Sequence, residues 1–327
     1  MKPAIESILS IEKPNKWEIL IGDDGSTDRT KEECIKYVEN YPDKIFLYTM
    51  PRLQSVSYDP VVRLGENKLN LVNHATGDYF CTLDGDDHFI DKRFLLEALD
   101  VFSSTPDISV VGFGYKRIID GIYSKEYVLP RSEIIPRAEY LKSMYIPAGA
   151  CVFKMYRDAV RMDYLNNSGF FDDSIITANN LYYGDMYSIQ RSVYGYRQNT
   201  GSIMTSMNML ETYIHNVQGY DLDSNVVRPE NRSDVLKRYA WAIIGLYLNK
   251  DIIIEQLDSQ KIDMYLKETV KIDNSLTYKL LTYDNLDKNS KTDIDKLFLL
   301  LAVRNIKFTI KLLWEININR LSEKSKQ

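Results

Sequence analysis

The stretch from Tyr79 to Phe89, reading Tyr-Phe-Cys-Thr-Leu-Asp-Gly-Asp-Asp-His-Phe, constrains the fold of this chain more than any other. Five β-forming, mostly apolar residues run directly into the carboxylates Asp84, Asp86 and Asp87. The first half reads as a short, buried, parallel strand bounded by turn residues. The carboxylates then fall at its carboxyl end, where open α/β sheets place their ligands. Like charge packed that densely is unfavourable unless something positive neutralises it. Hard divalent cations prefer oxygen ligands, and Mg²⁺ is typically held by one or two carboxylates plus substrate phosphates. One reading is therefore a metal–diphosphate site. The other is an acidic turn capping a helix that starts near Asp91.

The segments before it alternate as an α/β fold requires. Ala4 to Ser10 reads as the tail of a helix, and Trp17 to Ile21 as a short apolar strand. Gly22-Asp23-Asp24-Gly25-Ser26-Thr27-Asp28 follows as a turn, with Ser26, Thr27 and Asp28 as caps for a helix through Val38. A carboxylate fixed in that turn can accept hydrogen bonds from a nucleobase imide or a ribose; it also fits an ordinary βα turn. Lys44 to Thr49 is the next strand, and Asn67 to Ala75 a helix closed by Gly77.

Composition narrows the function classes. A net charge of −5 over 327 residues gives no footprint for nucleic acid. Cys34, Cys81 and Cys151 are odd in number and widely spaced, which suits reduced thiols in a cytosolic protein and neither a disulfide framework nor a zinc site. No apolar run reaches the length of a bilayer span.

Four blocks in order resemble the family 2 glycosyltransferases of GT-A fold. Trp17–Asp28 is similar to the family's base-binding loop. Lys68 through Tyr79, ending His-Ala-Thr-Gly-Asp-Tyr, resembles the helix before the metal motif. Leu83-Asp84-Gly85-Asp86-Asp87 matches its D-x-D-D. Gly169-Phe-Phe-Asp-Asp-Ser-Ile, Tyr183-Gly-Asp-Met and Tyr196-Arg-Gln…Ser202-Ile resemble the acceptor half. The resemblance implies a GT-A-like (Rossmann-like nucleotide-diphospho-sugar transferase) mixed sheet flanked by helices over 1–206. A helical C-terminal region follows over 207–327.

The resemblance also implies roles. Asp23 and Asp24 would contact uracil or an equivalent base, Asp84 the ribose and the metal region. Asp86 would be the main ligand of Mn²⁺ or Mg²⁺, with Asp87 supporting it or contacting the donor sugar, and Lys68 facing the nucleotide. Asp185 falls at the position of the catalytic base, with Gly184 where the family usually has Glu. Asp185 also reads as the head of a helix whose dipole keeps it ionised; Asp172 and Asp173 are the other carboxylates available for that role. Family members begin with a strand that lines the nucleotide pocket, and this chain is expected to lack it, starting inside the following helix. The function implied is inverting, metal-dependent transfer of a sugar from a nucleotide-sugar donor, a UDP-sugar by resemblance, to a glycan or lipid-linked glycan. The setting implied is bacterial surface polysaccharide biosynthesis in the cytoplasm or at the inner face of the membrane. The alternative is a non-catalytic remnant or interaction protein that keeps the scaffold. A haloacid dehalogenase needs Gly-Thr after its second Asp, where this chain has Asp87-His88, and no stretch carries the glycine and glutamate offsets of an EF-hand.

Further on, Ser109–Arg117, Gly149–Lys154 and Ser192–Arg197 read as strands, and the chain after Met207 as helical. The last helix, expected as one piece over Ile294–Ile318, pairs an apolar face (Leu297, Leu300, Leu301, Ile310, Leu313, Trp314) with Arg304, Lys307, Lys311 and Arg320. It fits a membrane interface, its own domain, or a homo-oligomer through a second copy.

Overall fold

The computed structural model describes residues 1–52, 60–168, 171–198 and 206–324. The chain divides into two compact units, Met1–Thr205 with Val226–Asn231, and Ser206–Asn225 with Arg232–Gln327.

The first unit opens on α1 (Lys2–Ser10), β1 (Ile19–Asp23), α2 (Thr30–Asn40) and β2 (Ile45–Thr49). β1 and β2 pair in parallel with Ile19 opposite Ile45, and α2 supplies the crossover that a parallel pair requires. Ile5, Ile19, Ile21, Cys34 and Ile45 form one apolar cluster, so α1 and α2 both close on this small sheet. α3 (Pro60–His74) follows. Glu18, just ahead of β1, accepts from Thr76 N at 2.7 Å and Gly77 N at 3.2 Å. That pins the turn after α3 to the head of β1.

The second sheet is mixed and seven-stranded. Its strands are β3 (Tyr79–Phe80), β4 (His88–Phe89), β5 (Ile108–Ile119), β6 (Ile122–Tyr127), β7 (Ile134–Ile135), β8 (Cys151–Lys154) and β9 (Asp185–Arg197). The order is β3-β8-β5-β9-β4, with β6 on β5 and β7 on β9. β5 and β9 are parallel and the remaining pairings antiparallel. Ile108 to Tyr115 is buried at every position, the near-continuous apolar run of a strand covered on both faces. α4 (Phe94–Ser104) covers part of it, with the Phe94 and Phe113 rings edge to face at 5.7 Å. Asp91 caps α4, accepting from the Arg93 and Phe94 amides. α5 (Arg137–Ser143), α6 (Ala159–Ser168) and α7 (Asp173–Leu181) complete the unit.

The strand before the acidic loop departs from expectation. Only Tyr79 and Phe80 pair, antiparallel to β8, and Tyr79 is 38 % exposed. β3 stands at the end of the sheet's path and, among the described residues, pairs on one side only. Cys81 to Leu83 run on outside any ladder, so the stretch is an edge and not a buried parallel strand.

The second unit is helical: α8 (Met209–Val226), α9 (Arg232–Asn249), α10 (Ile253–Gln256), α11 (Ser259–Thr269), α12 (Leu276–Leu281), α13 (Lys288–Arg304) and α14 (Ile306–Lys324). The last helix is two helices, not one. Asn305 leaves helical geometry at ψ 37°, and its backbone N–H and its side-chain amide both donate to the Leu301 carbonyl at 2.9 Å, closing the C-terminus of α13. Among the described residues no helix is long and apolar enough to cross a membrane.

The charged pivot of this unit is Asp221, 2 % exposed. It accepts from Leu276 N at 2.7 Å, Thr277 N at 2.9 Å, Thr277 Oγ1 at 2.7 Å and Ser275 Oγ at 3.0 Å, tying α8 to the start of α12. Burial raises its carboxyl above the usual range, and these donors pull it back. Replacing Asp221 by Ala strands buried amides and is expected to destabilise the fold by about 3 kcal/mol. Urea denaturation measures it, and a loss under about 1 kcal/mol would show that the network is dispensable.

Candidate active site

The carboxyl end of β1 carries the first part of the site. Asn67 of α3 lies against Gly22, where a Cβ would fall 2.3 Å from its Oδ1, and its amide donates to the Gly22 carbonyl at 3.2 Å. Gly25 takes φ +68°, which turns the chain toward α2. Asp23 is 2 % exposed. Its Oδ1 accepts from Ser26 N at 3.1 Å, while its Oδ2 and Asn67 Oδ1 are buried without a hydrogen-bond partner. Buried orphan acceptors are rare, and they suit a ligand that presents N–H or O–H donors. Asp24 differs: Arg63 Nε and Arg52 take one oxygen each, and Arg63 also holds the Met50 carbonyl at 2.9 Å. Of the two aspartates expected at a base, Asp23 keeps an open oxygen and Asp24 is clamped.

The acidic loop carries the second part, and its carboxylates are treated differently. Asp84 sits 3.2 Å from Lys68. Asp87 is 2 % exposed, accepting from the Tyr194 hydroxyl and from Arg197 N at 2.6 Å. Burial pushes its carboxyl up to about 7 against the pull of those two donors. Arg197 thus meets the loop through its backbone amide. Asp86 points to solvent and has no hydrogen-bond or ion-pair partner among the described residues. His88 donates to or accepts from the Tyr123 hydroxyl at 2.7 Å.

Lys68 joins this loop to the start of α7. Its ammonium is 3.2 Å from Asp84 and 3.3 Å from Asp173, and its side chain is 11 % exposed. Burial works against its charge, but the Asp173 and Asp84 carboxylates more than offset that and raise its pKa. Asp172 and Asp173 part company at the start of α7. Asp172 is the cap, accepting from Ser174 N and Ile175 N at 3.0 Å each, as a residue in that position does. Asp173 turns to Lys68, and burial raises its carboxyl above the usual range with the ammonium opposing.

Asp185 is not part of this cluster. It begins β9 and heads no helix, and it accepts from Arg137 N and Nε at 3.0 Å each. Tyr194, which reaches the acidic loop, lies nine positions further along the same strand, a path of up to about 30 Å at about 3.3 Å per residue. Gly184 has its own reason: a Cβ there would stand 2.4 Å from the Asp107 carbonyl oxygen and 2.8 Å from Ser109 N, so the backbone entering β5 excludes a side chain. Gly169, Phe170, Ser202 and Ile203 lie outside the described residues.

Among the described residues no group of three or more His, Cys, Asp or Glu side chains gathers into a metal cage. Asp86 and Asp84 nevertheless offer hard oxygen donors on either side of Gly85, with Asp86 unengaged. That fits a Mg²⁺- or Mn²⁺-type ion completed by phosphate oxygens. Tyr194, Arg63 and Asn67 went unread in the sequence. Tyr194 had one signal, its place in the apolar alternation Val193-Tyr194-Gly195-Tyr196.

Tyr194→Phe removes a donor from a buried carboxylate. Because that donor favours the ionised form, its loss penalises the charged state of Asp87 alone. The variant is therefore expected to lose little stability below pH about 7 and progressively more above it, reaching about 1–3 kcal/mol. Thermal denaturation across that range measures it; a pH-independent loss would show that the hydroxyl acts by packing.

Residues 1–160 match the model of glycosyl transferase family 2. A stretch of 90 residues is 37 % identical to the putative glycosyltransferase EpsE of Bacillus subtilis (strain 168), covering 28 % of this chain and 29 % of that protein. The crystal structure of S. aureus TarS 1-349 superimposes with a TM-score of 0.51 at 12 % identity, over 93 % of this chain and 87 % of that one. At that identity the likeness speaks for the fold, and it is GT-A-like. The family model begins at residue 1 and runs through both β1 and the acidic loop, so the likeness to glycosyl transferase family 2 spans the N-terminal part of this chain.

Proposed function

We propose that this chain transfers a sugar from a nucleotide-diphosphate donor to a hydroxyl of a glycan or lipid-linked glycan, inverting the anomeric centre. A UDP-sugar is the donor class, and bacterial surface polysaccharide assembly the setting. The observation that carries this reading is the shared ammonium of Lys68, 3.2 Å from Asp84 of the acidic loop and 3.3 Å from Asp173 at the head of α7. It brings a diphosphate-type site and the Asp173 carboxylate to one point.

The roles follow from what each group leaves open. Asp23 Oδ2, buried and unpartnered, accepts from the imide of the base. Asp84 and Asp86 hold a divalent cation, which would offset charge on the leaving diphosphate. Lys68 adds a second positive charge there. Asp87, locked by Tyr194 and Arg197, sets the loop's shape on the sugar side. Asp173 takes the proton of the acceptor hydroxyl as its oxygen bonds to the anomeric carbon and the sugar–phosphate bond breaks. Its raised proton affinity suits that task, since a base works best with a pKa near the working pH. Asp185, held by Arg137 at the far end of β9, has no such part.

A second reading has one observation behind it. β1 and β2 form a sheet of their own, with no hydrogen-bonded strand joining them to the seven-stranded sheet among the described residues. A scaffold with a loosely closed donor pocket, acting as an interaction protein, would look like that.

Transfer assays with isothermal titration of donor separate these readings. Asp173→Asn should keep donor affinity while transfer falls by about two to four powers of ten. Asp185→Asn should stay within a few-fold of the parent chain. The reverse pattern would return the base to Asp185, and absence of donor binding by the parent chain would favour the scaffold. Asp86→Asn should abolish the enhancement of donor binding by Mn²⁺ in a folded protein. An unchanged Mn²⁺ dependence would remove Asp86 from the ion.

A further inference from the structure

The last two helices expose apolar side chains that their own unit leaves uncovered. α14 is held to its unit by Thr309 and Leu312, each 7 % exposed. The opposite side carries Ile306, Ile310, Leu313 and Trp314, at 57, 60, 41 and 65 % exposure. Their spacing places them on one stripe about a quarter of the helix wide. Lys307 and Lys311 run along one flank of that stripe, both exposed. On the preceding helix Leu299 and Val303, one turn apart, are 62 and 63 % exposed.

Charge indicates what covers this stripe. From Leu299 to Trp314 the chain holds Arg304, Lys307 and Lys311 and no acidic residue, within a protein of net charge −5. Glu315, next in line, pairs with Lys311 at 3.7 Å and leaves the segment cationic. A second copy of the chain meets it poorly. A two-fold contact would set Lys307 and Lys311 against their own counterparts with no carboxylate from the stripe between them. An anionic bilayer meets both needs. Apolar side chains enter the acyl boundary, Trp314 sits at headgroup depth, and the lysine stems lie along the surface with their ammonium groups among phosphates. A helix built in this way lies in the plane of the interface, as fits a chain with no membrane-crossing helix among its described residues.

We propose that α14 docks this chain on an anionic lipid surface through Ile306, Ile310, Leu313 and Trp314, with Lys307 and Lys311 selecting the charge. This is independent of the catalytic reading. The full chain would be floated with vesicles of phosphatidylcholine, and of phosphatidylcholine mixed with phosphatidylglycerol. Binding is expected to the mixed vesicles only, with a blue shift in tryptophan emission that Trp314→Ser removes, and release at high salt. Lys307→Gln and Lys311→Gln should each weaken binding about five-fold, and Ile310→Ser with Trp314→Ser should abolish it. Thermal midpoints should hold, because these side chains are exposed. Equal binding to neutral vesicles would overturn the role of the lysines, and no binding to either would overturn the proposal. A concentration-dependent doubling of mass that Trp314→Ser prevents, without vesicle binding, would assign the stripe to a second copy.

Discussion

Repulsion between carboxylates is the constraint around which the first unit is arranged. Two like charges about 5 Å apart cost on the order of 3 kcal/mol at an effective dielectric near 20. The acidic loop and α7 together bring Asp84, Asp86, Asp87 and Asp173 into one neighbourhood. Each is handled by a different device. Asp84 and Asp173 share one ammonium; Asp87 is buried under a tyrosine hydroxyl and a backbone amide; Asp86 faces water. Those devices come from α3 and β9, and the shared ammonium draws in α7 through Asp173, so the electrostatics of one loop dictates how three distant stretches of chain must meet. The unneutralised remainder is where a cation gains most.

The same economy of open and closed valences distinguishes the two aspartates after β1. Asp24 serves the scaffold, since Arg63 reaches from α3 to tie it to the Met50 carbonyl beyond β2. Asp23 retains an oxygen that nothing in the described chain satisfies. Identical residue types at adjacent positions thus do different work, and only the hydrogen-bond inventory separates them.

Much of this was legible in the sequence, and the misses have physical causes. β1, α2, β2 and β5 were readable because short apolar runs bounded by turn residues have few other solutions. Lys68 came from the resemblance, as a residue facing the nucleotide; that it would stand between Asp84 and Asp173 could not be read, because the two carboxylates lie far apart in the chain. Asp185 passes for a helix start but opens a strand, because β9 buries Ser188 and Ser192 among its apolar residues and so breaks the alternation that marks a strand. Asp172 and Asp173 looked alike because capping depends on which residue leaves helical geometry first, a one-residue matter. The break at Asn305 was invisible because apolar periodicity continues on both sides of it.

The sheet's central pairing has a consequence for how the chain reaches this structure. β5 meets the local hairpin strand β6 and strand β8 along one edge, while its other edge is filled by β9, which starts at Asp185. Closing so long a loop costs on the order of 4 kcal/mol before any contact repays it. During synthesis, or after partial unfolding, the buried run Ile108 to Tyr115 therefore presents one bare edge of unpaired amides and carbonyls. An apolar strand in that condition is a template for pairing with another chain. The segment that makes the native sheet most secure is thus also the one through which nascent copies would aggregate.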